Sequence, residues 1–290
     1  MDGLLIIDKP AGITSHDVVA RVRRALKTKR VGHTGTLDPF ATGVMVILVG
    51  KATRLAQFLD KDEKEYEAVV RTGFETDTGD NTGSPNSEVK AAGVIDIEQF
   101  ESALTKFRGG YLQTPPMYSA KKVEGKRLYE LARKGLEIER SPVEVTITTL
   151  ERVPDGSLPN DSIRIRVACS AGTYIRTLAE DVGREIGIGA HLTELRRTRA
   201  GRFTIDEAVK LAEVIETDLK PIDLAVEHLP AYLLREDRVA KTQNGMSTRD
   251  PSATFTDGQH IRVTTPDGNL IAIGVYDDGE KVIQPKLVLG

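Results

Sequence analysis

One cysteine, Cys169, stands alone in 290 residues, so no disulfide framework is available to the fold. The five histidines are scattered and have no cysteine partner, which leaves a structural zinc site without its usual ligands. Cys169 therefore reads as a small apolar core residue. Long hydrophobic runs are missing too. The longest, Val44 to Val49 and Leu270 to Val275, fall far short of the roughly 18 to 20 residues that a membrane-spanning helix needs. The opening MDGLLIIDKP carries neither a basic n-region nor a small-residue cleavage site, so a cytoplasmic location away from membranes is expected. P-loop, Rossmann glycine and HExxH patterns are absent, which removes the usual signatures of nucleotide hydrolysis, dinucleotide chemistry and zinc hydrolysis.

A basic excess is lacking as well. The formal net charge of -3 argues, taken alone, against a phosphate-rich partner. Distribution tempers this. Cations gather at Arg21, Arg23, Arg24, Lys27, Lys29 and Arg30, at Lys121, Lys122, Lys126 and Arg127, and at Arg196, Arg197, Arg199 and Arg202. Acids concentrate elsewhere, around Asp60 to Glu67 and Asp206 to Glu216. Such segregation fits either one basic face on a mildly acidic body or ordinary solvated charge. With 39% hydrophobic and 29% charged residues the chain is an ordinary globular sequence, long enough for one large and one small domain.

The run Gly3 to Asp8 predicts a buried strand ended by Lys9-Pro10-Ala11-Gly12. Thr14 and Asp17 then have capping-box spacing, followed by an apolar stripe of Val18, Val19, Val22, Ala25 and Leu26 on a helix whose other face is cationic. Val31 to Gly43 is punctuated by glycine and predicts a loop, and Val44 to Val49 a central strand. Glu65 to Gly73 alternates as a strand and Thr76 to Ser87 is a loop. A helix opening at Asp96 carries Phe100, Leu104 and Phe107 and closes at Gly109-Gly110. Thr114 to Arg140 predicts an exposed excursion with a short helix from Leu128 to Lys134. Strands over Val143 to Leu150 and Ile163 to Cys169 lead to a helix bearing Ile175, Leu178, Ala179, Val182 and Ile186. Thr204 and Glu207 predict a further helix with Ala208, Leu211, Ala212 and Ile215 on one face. From Leu229 onward the pairs Asn244-Gly245, Asp257-Gly258, Asp267-Gly268 and Asp278-Gly279 punctuate short strands, the pattern of a small β-barrel, with a domain boundary near His228.

Asp38 is a carboxylate on a glycine-bounded loop, where the backbone can approach a ligand closely. Asp-Pro is also a common turn, so the loop alone leaves both readings open. His33 either hydrogen-bonds that loop or contacts a phosphate. Tyr174 and Arg176 sit at a strand-to-helix junction, where both packing residues and sites occur. Tyr66 is either a core aromatic on its strand or a stacking platform.

Six motifs in order bring these residues together: Ile7-Asp8-Lys9-Pro10-Ala11-Gly12, Gly32-His33-Thr34-Gly35-Thr36-Leu37-Asp38-Pro39, Lys64-Glu65-Tyr66, Met117-Tyr118-Ser119-Ala120, Gly172-Thr173-Tyr174-Ile175-Arg176 and Leu195-Arg196-Arg197. Their order and content resemble the bacterial tRNA pseudouridine synthase B family over essentially the whole chain. The resemblance implies an α+β catalytic domain over residues 1–228, with a mixed, mainly antiparallel sheet flanked by helices and a thumb-like insertion at about 108–140. A PUA-like RNA-binding β-barrel over 229–290 would follow. It implies isomerisation of a T-loop uridine, position 55 of the tRNA, with Asp38, Tyr66 and Arg176 catalytic. His33, Tyr174, Leu195, Lys9 and Lys121 would bind substrate. Neither metal nor redox cofactor is implied, and the partner is tRNA, through its T-stem-loop and acceptor stem, acted on by a monomer without a protein partner. A tRNA-binding or folding protein without catalysis, and a base-excising glycosidase, are the competing classes.

Overall fold

The computed structural model describes residues 1–289 apart from 87, 90–94, 120, 121, 124, 125, 133, 134 and 137. β1 (Gly3–Lys9) is inward-facing along nearly its whole length and stops where Pro10 withdraws a donor. α1 (Ser15–Ala25) starts at Thr14, whose Oγ1 accepts from the Asp17 N–H at 3.1 Å while the Asp17 carboxylate accepts from the Thr14 N–H at 2.8 Å. Val18, Val19 and Val22 bury the inner face of this helix against Leu5, Ile7, Met45 and Ile47. β2 (Val31–Thr34) pairs antiparallel with β3 (Thr42–Val49), so the segment expected to be loop throughout is strand for its first four residues. Only the turn between them is irregular, and Asp38 lies in it.

β4 (Lys64–Thr72) is followed by α2 (Ile97–Thr105), capped by the Asp96 side chain, which accepts from the Glu98 and Gln99 N–H groups. β5 (Gly109–Gln113) leads into the excursion, where β6 (Lys122–Val123), β7 (Lys126–Arg127) and α3 (Leu128–Ala132) lie. Lys121 and the end of the expected Leu128 to Lys134 helix lie outside the described residues. β8 (Val143–Val153) and β9 (Ser162–Cys169) form a long antiparallel pair, and α4 (Ile175–Glu185) buries Ile175, Leu178, Ala179 and Val182 before β10 (Ala190–Ala200).

Beyond β10 the helix expected after Thr204 does not form. β11 (Phe203–Thr204) gives way to one 3-10 turn, and then β12 (Val209–Lys210) runs parallel to the edge of β1. Glu207 does reach back to the Thr204 N–H at 3.2 Å, so the cap exists on a single turn. Pairing of Val209 with Ile7 satisfies backbone groups that a helix would otherwise satisfy internally.

The resulting sheet has ten strands in the order β12-β1-β3-β10-β4-β9-β8-β5, with β11 on β10 and β2 on β3. It is mixed: β12 with β1 and β10 with β3 are parallel, and the other pairs are antiparallel. At the β3–β10 contact Gly43 has φ +101°, and a Cβ there would stand 2.2 Å from the Arg197 carbonyl oxygen. Glycine is therefore required for the two strands to meet.

The C-terminal strands are β13 (Ala231–Leu233), β14 (Thr248–Arg249), β15 (His260–Thr264), β16 (Leu270–Asp277) and β17 (Val282–Val288), with α5 (Glu236–Gln243) after β13. They form a sheet in the order β13-β15-β16-β17-β14, curled as a half-barrel around Leu234, Ile261, Val263, Tyr276 and Ile283. Asp267-Gly268 and Asp278-Gly279 turn the β15–β16 and β16–β17 hairpins, whereas Asn244-Gly245 ends α5. That helix is absent from the all-β expectation. Its mean composition is polar, and a short exposed helix leaves little apolar periodicity to read.

Candidate active site

Asp38 is fixed by its neighbours. Leu37 is buried, and Ser15 at the start of α1 both accepts from the Leu37 N–H at 2.9 Å and donates to its carbonyl at 3.1 Å. The Ala41 N–H closes the turn onto the Asp38 carbonyl at 3.2 Å, and the Gly12 N–H reaches the Pro39 carbonyl at 2.8 Å. Beneath the turn lies Lys9, fully buried, whose ammonium donates to the carbonyls of Pro10, Pro39 and Ala41 at 3.0, 3.3 and 2.6 Å. Three carbonyls take its three protons. Lys9, expected at the substrate, is buried here and holds the Asp38 turn from inside, and burial pushes its pKa down to about 8.

Arg176, in the first turn of α4, meets Asp38 side-on, with Nε 2.8 Å from Oδ2 and Nη2 3.3 Å from Oδ1. The remaining donors go to backbone, Nη1 to the Thr78 carbonyl at 2.6 Å and Nη2 to the Tyr118 carbonyl at 2.7 Å. The arginine is 4% exposed, whereas the Asp38 side chain keeps 32% of its surface, so one side of the carboxylate stays open. Burial pushes the Asp38 carboxyl above the ordinary range, against the opposing pull of the Arg176 guanidinium; the nearby Asp80 carboxylate adds to the rise. The pair thus limits a rise rather than producing a depressed pKa.

The open side of Asp38 faces a cleft of about 1000 Å³. His33, Tyr66, Tyr174 and Leu195, all expected at a site, line it together with Asp38 and Arg176. Tyr66 is buried on β4, and burial raises its phenol above its ordinary pKa, so it is a neutral phenol at neutral pH. Burial also lowers His33 to about 4, helped by His16, whose ring stands 5.9 Å away, and by Arg197, so the ring is neutral. Tyr174 is the N-cap residue of α4, and its backbone is clamped by Gln113, which accepts from the Tyr174 N–H at 2.7 Å and donates to its carbonyl at 3.0 Å.

Three residues of the cleft were not singled out by sequence. Asp80 lies in the loop before α2, its Oδ1 accepting from the hydroxyls of Thr78 and Thr82 and from the Thr82 N–H. Lys64 and Arg197 stand within the quoted motifs, next to residues that drew the attention. Lys64 precedes Tyr66 by two positions and so shares its strand face, a period-two signal that was available. Among the described residues no three His, Cys, Asp or Glu side chains are grouped to hold a metal ion, and no helix is long and apolar enough to cross a membrane.

Comparisons with known proteins follow this geometry. Residues 23–175 match the model of the TruB family pseudouridylate synthase N-terminal domain, and residues 176–229 that of the tRNA pseudouridylate synthase B C-terminal domain. The chain is similar to the tRNA pseudouridine synthase B of Solibacter usitatus, 44% identical over 286 residues that cover 94% of this chain and 95% of the other. It is similar to that of Bacillus subtilis at 38% identity, covering 100% of this chain and 98% of the other. Among solved structures, a Cbf5-Nop10-Gar1 complex contains a chain that superposes with TM-score 0.75 at 26% identity, covering 99% of this chain and 85% of that one. An H/ACA RNP bound to a substrate RNA containing 2'-deoxyuridine contains another, with TM-score 0.74, 25% identity and coverage of 99% and 85%. Matched along its length, with a carboxylate and an arginine joined at the edge of one cleft, the chain belongs to the TruB family of pseudouridylate synthases.

Proposed function

We propose that this protein converts a uridine in the T-loop of tRNA to pseudouridine, with Asp38 as the covalent nucleophile. The observation that carries the reading is the half-open carboxylate held through two nitrogens by a buried arginine at the edge of the cleft. Isomerisation breaks the C1′–N1 bond, keeps and turns the uracil, and joins C5 to C1′. A fixed nucleophile and an enclosed pocket are its main demands, and no electrons are gained or lost overall. Metal and redox cofactors therefore have no role in the scheme.

The target base leaves its stack to reach the cleft, which costs on the order of a few kcal/mol. Tyr66 stacks on the flipped base and takes part in loss of the C5 proton; as a neutral phenol it does so by hydrogen bonding rather than as a standing phenolate. His33, neutral by burial, helps displace the base by shape and hydrogen bonding rather than by charge. Tyr174 and Leu195 line the base pocket. The excursion at about 108–140 closes on the T-loop, with Lys121 on its phosphates. Residues 1–228 act as the catalytic domain and 229–290 as a PUA-like module on the acceptor stem. The protein works as a monomer in the cytoplasm, where its tRNA is.

The test is to incubate purified protein with a T-stem-loop carrying 5-tritiated uridine and follow tritium release, with nucleoside analysis of the product. Stoichiometric release together with pseudouridine is the expected result. Tight binding without release would instead favour an RNA-binding protein, and free uracil a base-excising glycosidase.

A further inference from the structure

Among the described residues two cations in the cleft wall touch no carboxylate, although those of Asp62 and Asp60 act on Lys64 through space. Lys64 is 7% exposed and Arg197 1%. Among the described residues neither has a carboxylate oxygen within 4 Å. Lys64 donates to the carbonyls of Asp60, at 3.1 Å, and Asp62. Arg197 donates from Nε to the Val44 carbonyl at 2.7 Å and from Nη2 to the Gly35 carbonyl at 3.1 Å. Gly35 stands beside both, in the left-handed region at φ +68°. A Cβ on it would lie 3.3 Å from Arg197 Nη1 and 3.8 Å from Lys64 Cε. Both cations line the cleft with Tyr66, and neither is a partner of Asp38, whose ion pair is with Arg176.

Burying a charge without an opposite charge in contact with it is costly, and carbonyl dipoles offset only part of that cost. Lys9 has a plain structural use for its charge, beneath the Asp38 turn. Lys64 and Arg197 instead line the cleft, Arg197 beside the Tyr66 hydroxyl. An anion arriving in the cleft would complete them, and the chemistry generates one. As the Asp38 oxygen forms its bond to substrate, the carboxylate loses its negative charge and the uracil ring gains it. When the C1′–N1 bond breaks, its electron pair stays with N1 and spreads over O2 and O4. When the carboxylate adds at C6 instead, the C5–C6 π pair moves through C4 onto O4. On joining C5 to C1′ the Asp38 bond breaks with its electron pair, the carboxylate is restored, the C5 proton leaves and N1 gains one. Negative charge thus passes from Asp38 to the base and back on either route.

We infer that Lys64 and Arg197 are the built-in receptor for the negative charge that develops on the uracil ring while Asp38 is covalently engaged. The inference rests on the isomerase reading and deepens it. The two side chains are already desolvated and held by backbone carbonyls, so they stabilise the charged base without reorganising during the reaction. The wall also suits a neutral His33, because a charge on that ring would be repelled by Arg197.

The test compares single-turnover rates, with enzyme in excess, of forming the C5–C1′-linked product on T-stem-loops carrying uridine or 5-fluorouridine at the target; with fluorine at C5 no proton leaves, and water adding across N1=C6 closes the sequence instead. Fluorine withdraws electrons and makes the base anion less dependent on nearby cations. Lys64→Met and Lys64→Gln are expected to slow conversion of uridine by about 100-fold, the scale for losing one preorganised stabilising group. They should slow 5-fluorouridine by about tenfold less, with RNA affinity nearly unchanged. Lys64→Arg should keep most of the rate. Equal slowing of both substrates, or none, would overturn the inference, because a residue that only braces the Asp60–Asp62 turn has no reason to sense the acidity of the base. Absence of pseudouridine with the unaltered protein would be a different result, and would overturn the isomerase reading itself.

Discussion

Arg176 reaches Asp38 with two nitrogens and two backbone carbonyls with the rest of its fork, so charge alone does not define its role. A lysine there supplies one point charge where four contacts are made. Arg176→Lys is expected to lower the rate by about 100-fold. The pH dependence follows from the signs. Burial already raises the Asp38 pKa, and the guanidinium opposes that rise. In the proposed reaction the attacking form is the carboxylate, so activity is expected to fall as pH drops through this pKa. Weakening the opposition moves the acid limb of kcat/KM to higher pH, and a pH profile of the variant measures the shift. An unmoved limb would mean that Arg176 positions Asp38 without tuning it. His33, with its pKa pushed down to about 4, should show a flat ring titration by NMR above pH 6. A midpoint near neutrality would return it to the role of a cationic contact.

At the scale of elements, the signals that were read correctly are local ones. The capping residues Thr14 and Asp96 sit in front of real helices because apolar side chains follow at helical spacing and find a sheet to cover. Thr204 and Glu207 make the same local contact, yet Val209 and Leu211 are drawn to the edge of β1 and the helix ends after one turn. Competition with a strand distant in sequence is invisible in a window of ten residues. The same holds for β2, whose four residues include a glycine and a histidine and pair only because β3 lies alongside. The motifs let the sequence anticipate the contact between Asp38 and Arg176, whereas the burial of Lys9 was not legible, because its charge gave no hint that it points inward. Gly43 is the element-scale residue most open to test. Gly43→Ala places a methyl against the Arg197 backbone and demands a left-handed alanine, so a loss of about 2–4 kcal/mol of stability is expected in urea unfolding. A loss below 1 kcal/mol would show that β3 and β10 separate easily.

Over the whole molecule, the half-barrel and the large sheet share a core. Ile273, Leu287 and Leu289 pack with Leu4, Leu48 and Leu55, and the Arg54 guanidinium donates to the Val288 carbonyl. The distribution of charge also resolves at this scale. Of the cationic clusters seen in sequence, Arg196, Arg199 and Arg202 are spent on Asp8, Glu63 and Glu227, and Arg197 is buried. By contrast Arg21, Arg24, Lys27 and Lys29, on α1 and the turn after it, are exposed, and the start of α1 lines the cleft. Affinity for tRNA should therefore fall with salt despite the net charge of -3. Arg24→Glu combined with Lys27→Glu should flatten the salt dependence by about two phosphate contacts, read from the slope of log Kd against log salt. A slope unchanged by this pair would put the phosphate contacts elsewhere.

The predicted effects on rate at Arg176 and Lys64 hang on Asp38 as the proposed nucleophile. The direct measurement is tritium release from 5-tritiated uridine by Asp38→Asn under single-turnover conditions, with the variant shown to bind the T-stem-loop as the unaltered protein does. An amide in the same place keeps the shape and loses the nucleophile, so no release above background is expected. Release at a substantial fraction of the original rate would contradict the assignment.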